Sequence, residues 1–131
     1  MALVSALVAC GKAKSEDQPA PASAPSAAAP PATVTPDATA KAQEIFALRC
    51  SPCHGAEGRG DGAASKALVP PPRNFHDPEW QKSVTDDHIE KIIKYGGAAV
   101  GKSPAMPGNP DLNDPAVIRA LRVHIRGLAA K

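Results

Sequence analysis

Cys50-Ser51-Pro52-Cys53-His54 constrains this chain more than any other stretch. Two cysteines three positions apart place their thiols within reach of the two vinyl groups on one edge of a haem, and the adjacent histidine turns its imidazole onto the iron. Two other readings of these five residues are weaker. A redox-active C-x-x-C opens a helix beside a βαβ pattern, with its first thiol a low-pKa nucleophile, and no βαβ pattern is present here. A structural zinc site needs a second pair of ligands at comparable spacing, and the one remaining cysteine, Cys10, lies far upstream.

At 131 residues the chain has room for one modest domain, and not all of it belongs to that domain. Residues 15–36 are almost entirely Ala, Pro, Ser and Thr, with proline at six positions. Such a segment buries too little apolar surface to offset its own ordering entropy, so an extended linker is expected there and a folded domain over 37–131. That domain holds only four aromatic residues, Phe46, Phe75, Trp80 and Tyr95. So small a set struggles to fill a core unaided, and a buried haem supplies the missing apolar volume. The net charge of +2 comes from interspersed acids and bases, so nothing points to nucleic-acid binding.

Residues 1–14 carry a second signal. Leu7-Val8-Ala9-Cys10 has the form of a bacterial lipobox, in which the cysteine is acylated and becomes the new amino terminus. Met1 to Ala9 lacks the basic n-region and barely reaches the length of an apolar h-region, which fits a start codon placed too far downstream. Covalent haem attachment in bacteria takes place outside the cytoplasmic membrane, so both motifs call for export. Acyl chains on Cys10 would anchor the chain to a membrane. The linker then becomes a tether on the order of 70 Å long, at ~3.1 Å per residue in polyproline II.

Within the domain, Asp37 following Pro36 reads as the N-cap of a helix through Arg49, with Ala42, Ile45, Phe46 and Leu48 as apolar positions. Phe46 falls on the face of Cys50. The four glycines of residues 55–62 lack the terminal Gly-Lys-Ser/Thr of a phosphate loop and read as a tight loop beside the haem edge. Pro70-Pro71-Pro72 holds an extended segment suited to presenting a fixed carbonyl to the ring N–H of a ligating histidine. Thr85 caps a helix with Asp86 and Asp87 in its first turn and Ile89, Ile92 and Ile93 as its stripe, ended by Gly96-Gly97. His88 reads as an exposed helical histidine. A last helix starts at Asn113 or Asp114, with Pro115 at its first position and Val117, Leu121, Ile125 and Leu128 on one face. His124 borders that face as a packed or half-exposed residue. Between these helices Met106, the only methionine besides Met1, sits in a proline-flanked loop with no helical face to pack on, a context that suits a thioether ligand on iron. His76, His88 and His124 are formal competitors for that position.

Taken together, Phe46, the Cys50–His54 motif, Pro72-Arg73-Asn74-Phe75, Ile92-Ile93-Lys94-Tyr95-Gly96, Ala105-Met106-Pro107 and the closing helix resemble the bacterial class I monohaem cytochromes c, over nearly all of residues 37–131. The resemblance implies an all-α fold of three to four main helices around one covalent haem c, with the first and last helices crossing near one haem edge. It implies thioethers at Cys50 and Cys53, His54 as proximal ligand and Met106 as distal ligand. It also implies that the carbonyl of Pro72, or of its neighbour Pro71, accepts the His54 N–H. The family commonly carries an aromatic residue near the position of His124, and this chain does not.

The expected function is one-electron transfer by a monomeric, lipid-anchored, extracytoplasmic carrier that transforms no substrate. Its encounters with redox proteins are expected to be transient, with Arg59, Lys66 and Lys102 as docking charges. An electron-entry haem subunit of a larger dehydrogenase or reductase and a haem-based small-molecule sensor are the alternatives. A peroxidase is disfavoured, because no distal acid/base group is evident.

Overall fold

The computed structural model describes residues 33–130. Cys10 and nearly all of the segment read as linker lie outside the described residues. Every regular element among the described residues is helical.

Helix α1 spans Pro36–Ile45. Its N-cap is Thr35, whose hydroxyl accepts from the Ala38 N–H at 3.2 Å, and not Asp37. Pro36 takes the first helical position, where its missing N–H has no partner to lose, and Asp37 falls in the first turn facing the positive end of the dipole. Val34 packs against the core, so the fold begins ahead of residue 37. Beyond Ile45 the chain widens into a π turn, Phe46–Cys50, before the short helix α2, Ser51–His54. Pro52 accounts for the break, since in an unbroken α-helix its ring would collide with the carbonyl four residues back.

Helix α3, Pro78–Ser83, is absent from the sequence reading above. Asp77 caps it through hydrogen bonds from Glu79 N and Trp80 N at 3.0 and 3.2 Å. Helix α4, Asp86–Tyr95, is capped by Thr85 and stopped by Gly96 at φ +82°. Helix α5, Pro115–Leu128, is capped by Asp114, which accepts from Ala116 N at 2.8 Å.

The core lies where α1 and α5 pack together and α4 closes over α5. Ala38, Ala42, Ile45 and Phe46 meet Ala120, Leu121, Ile125 and Leu128 in one buried cluster with Ile89 and Ile93. Small alanines on both helices permit a close approach. The His124 ring lies 4.5 Å from that of Phe46, tilted by 60°, and so provides the planar group at the crossing that an aromatic residue would otherwise supply. Two arginines of α5 fasten the neighbouring elements. Arg122 donates to Glu90 at 2.9 Å and to Asp86, and Arg126 donates to Asp86, to the carbonyl of Gln81 and to that of Val84. Burial alone would raise the pKa of Asp86, but the hydrogen bond from Arg126 and the two guanidinium charges outweigh it and hold the carboxyl below the usual range. No described helix is long and apolar enough to cross a membrane.

Candidate cofactor site

The π turn and α2 bring Cys50, Cys53 and His54 to one wall of a cavity of about 610 Å³. The carbonyls at the end of so short a helix need partners, and the glycine-rich loop supplies them. Gly60 N–H donates to His54 O at 2.7 Å, Gly62 N–H to Cys53 O at 3.1 Å and Ala64 N–H to Pro52 O at 2.9 Å. A Cβ on Gly62 would stand 2.4 Å from Pro52 O, which explains why glycine is needed there. This loop therefore braces the outer side of the turn and contributes no residue to the cavity wall, in contrast to the haem-edge position expected from its glycine content. Arg59 and Lys66, expected as docking charges, are likewise absent from the wall, whereas exposed Lys102 belongs to it.

His54 is buried, with Nδ1 3.0 Å from the carbonyl of Arg73. A carbonyl only accepts, so Nδ1 carries the proton and Nε2 keeps a lone pair free for a metal. The acceptor lies one residue beyond Pro72, the position expected. Three consecutive prolines hold the path of the extended segment, but they do not decide which of its carbonyls turns toward the imidazole. Pro72 itself forms part of the cavity wall. Phe75 stacks on the imidazole at 4.5 Å and 16° and blocks its rotation. Burial lowers the His54 pKa, with the Arg73 hydrogen bond partly offsetting it, and so favours the neutral ring that ligation requires. Burial also pushes the Cys50 thiol up to about 11.

Met106 stands on the same cavity wall, half-buried, on a loop fastened to the end of α4. Gly97 N–H donates to Met106 O at 3.0 Å, Asn109 N–H to Lys94 O at 2.9 Å and Asn109 Nδ2 to Ile93 O at 2.8 Å. Gly96 and Gly108 let the two backbones touch, since a Cβ on Gly108 would meet Tyr95 C at 2.7 Å. His88, expected on the exposed face of its helix, is half-buried and also lines the cavity, because the stripe of Ile89, Ile92 and Ile93 faces it. His76 Nε2 instead donates to Glu57 O at 2.6 Å, tying the glycine loop to the proline-rich segment.

The wall fits haem chemically. Its body is apolar, built from Leu68, prolines, isoleucines, Phe75 and Trp80. Its charged members are Arg49, Arg73 and Lys102, with no carboxylate among them, which suits a flat hydrophobic ring bearing two acidic side chains. No group of three or more His, Cys, Asp or Glu side chains among the described residues forms a metal cluster of the zinc type. Sequence reasoning missed Arg73, Gly108 and Asn109 as parts of this site.

Residues 39–128 match the family model described as cytochrome c. A solved structure, the KustC0563 c-type cytochrome, is similar over 66% of this chain and 95% of its own, with 26% identity and a TM-score of 0.54. A search of the curated proteins found no match. With the match extending over more than half its length, the chain belongs to the cytochrome c family. The family binds haem c covalently and consists of electron carriers that work with redox partners.

Proposed function

We propose that the protein is a monomeric, membrane-tethered, extracytoplasmic monohaem electron carrier that transforms no substrate. The observation that carries this reading is the meeting of Cys50, Cys53, His54 and Met106 on the wall of one cavity from segments more than fifty residues apart. Cys50 and Cys53 hold the haem. Each thiol would add across one vinyl group, its sulfur taking one vinyl carbon and its hydrogen the other, with no net oxidation. The haem supplies an iron that gains and loses one electron. His54 keeps Nε2 aimed by the Nδ1–H bond to Arg73 and by the stacked Phe75. Met106 would hold the iron as its second protein ligand, so that it could change oxidation state without exchanging ligands. Arg73 and Lys102 would offer positive charge to the two haem carboxylates. Lys102, exposed at the rim, also offers a charge for weak, salt-sensitive docking.

Acylation of Cys10 supplies the anchor, and the proline-rich segment the reach. Its test is the mass and the detergent partitioning of the mature protein against a Cys10→Ser variant. The reading of the iron is tested by absorption spectra of the purified protein in both oxidation states. The oxidised form is expected to show the weak far-red band of an iron–methionine bond. Met106→Ala is expected to remove that band and make the reduced protein bind carbon monoxide. A high-spin wild-type spectrum sensitive to carbon monoxide would transfer the assignment to a sensor.

A further inference from the structure

Two half-sites make up the cavity, and the hydrogen bonds that join them are few. The haem-attachment turn is braced by the glycine loop, and the Met106 loop is fastened to the end of α4. Among the described residues, hydrogen bonds between 46–54 and 96–114 come from one side chain, Arg49. It precedes Cys50 and forms part of the cavity wall. Its Nη1 and Nη2 donate to the two carboxylate oxygens of Asp111 at 2.9 and 2.8 Å, and Nη1 reaches Asn109 Oδ1 at 3.2 Å. Asn109 stands three residues after Met106, and its other amide atom holds Ile93 O.

We propose that Arg49 is a positioning residue for Met106. Its planar fork latches the loop that carries the methionine to the residue beside the first haem-bearing cysteine. This inference rests on the reading of Met106 as distal ligand and adds the part that keeps the ligand in place. Both partners of the pair are about half exposed, at 45% and 59%, and an exposed ion pair adds little to global stability. Its effect therefore falls on local opening. The loop that carries Met106 is expected to swing away when its one hydrogen-bonded tie to the haem-attachment turn is cut, while the α1–α5 core stays packed. Lysine at this position would keep the charge but not the two parallel bonds, so the latch depends on the fork.

The experiment compares haem-loaded wild type, Arg49→Gln, Arg49→Lys, Asp111→Asn and the Arg49→Gln/Asp111→Asn double variant, with Arg122→Gln as a control in the α4–α5 contact. The far-red band of the oxidised protein and far-UV circular dichroism are followed through one urea titration. In Arg49→Gln and Asp111→Asn the band is expected to fade at lower urea, with the methionine-displaced fraction about fivefold larger before unfolding and the dichroism midpoint nearly unmoved. The double variant should be no worse than either single one, and Arg49→Lys should fall between wild type and Arg49→Gln. Arg122→Gln should move band and dichroism together. A band in Arg49→Gln that tracks global unfolding, or that fades where the wild type does, overturns the latch and leaves the Met106 reading intact. A wild type with no far-red band overturns the Met106 reading, and the latch with it.

Discussion

Three glycine-to-alanine substitutions isolate what each glycine contributes, and Gly62 carries the sharpest expectation. Its φ is not in the left-handed region, so a methyl group there acts through contact alone. The added Cβ would lie 2.4 Å from Pro52 O, 2.5 Å from Ser51 O and 2.6 Å from Pro52 C. Ordinary contact begins at 3.4 Å, and all three atoms are backbone of the haem-attachment turn, with no flexible side chain to give way. Relief requires the loop to lift away, which stretches the hydrogen bonds of Gly62 N to Cys53 O and of Ala64 N to Pro52 O. Two such bonds contribute about 1 kcal/mol each, and residual strain adds about 1–2 kcal/mol. The total loss is therefore about 3–4 kcal/mol, which lowers the melting temperature of a domain of this size by roughly 15–25 °C. Gly101, at φ +69° with no protein atom within 4 Å of its Cβ, tests conformation without protein contact and should lose about 1 kcal/mol as alanine. Gly127, in α5 and equally open, carries neither burden, and its alanine variant should gain about 0.5 kcal/mol from reduced chain entropy. Thermal melts of the haem-loaded variants, with haem content measured alongside, provide the assay. A Gly62→Ala protein that melts no lower than Gly101→Ala would falsify the account of the loop as a close-packed brace.

Other expectations follow from the same geometry. The depressed pKa of Asp86 makes its ion pairs fully stabilising above the unfolded carboxyl value of about 3.9, and this contribution is lost as pH falls through the lower folded value. Asp86→Asn should thus flatten the acid limb of the stability curve below about pH 4 and lower the plateau above it, as read by urea titrations across pH. Asp77→Ala removes the cap of α3 and should cost about 1 kcal/mol by denaturant titration, without changing the spectrum of the oxidised haem. Cys53→Ser should leave the haem joined by one thioether, detected as a shifted reduced absorption band.

Much of this architecture is legible in short-range chemistry. Thr85 before two aspartates, and Asp114 before Pro115, announce their helices because caps and first-turn residues act within four positions. Asp77-Pro78-Glu79 carries the same signal for α3, yet six residues are too few to display a periodic stripe. At α1 the cap lies two residues earlier than read, since Thr35 and Asp37 are both good caps and Pro36 between them decides the register. The glycine run reads as a tight loop beside the haem edge, whereas its close approach is to the backbone of the haem-attachment turn, a partner glycine content does not name. That Arg73, and not Pro72, accepts from His54 is not legible in the sequence, because any backbone carbonyl can accept and residue type does not say which one does. The pairing of Arg49 with Asp111 spans 62 positions, a separation at which no local pattern speaks.

The backbone hydrogen bonds that brace α2 all close within a dozen residues, as do several that fasten the methionine loop. Short loops lose little entropy on closing, so each half is cheap to form by itself and quick to do so. The attachment segment can therefore take shape before α5 packs against α1. Assembly then runs as a clasp, with long-range helix packing as the last and cooperative step, and the order of chemistry follows the order of the polypeptide.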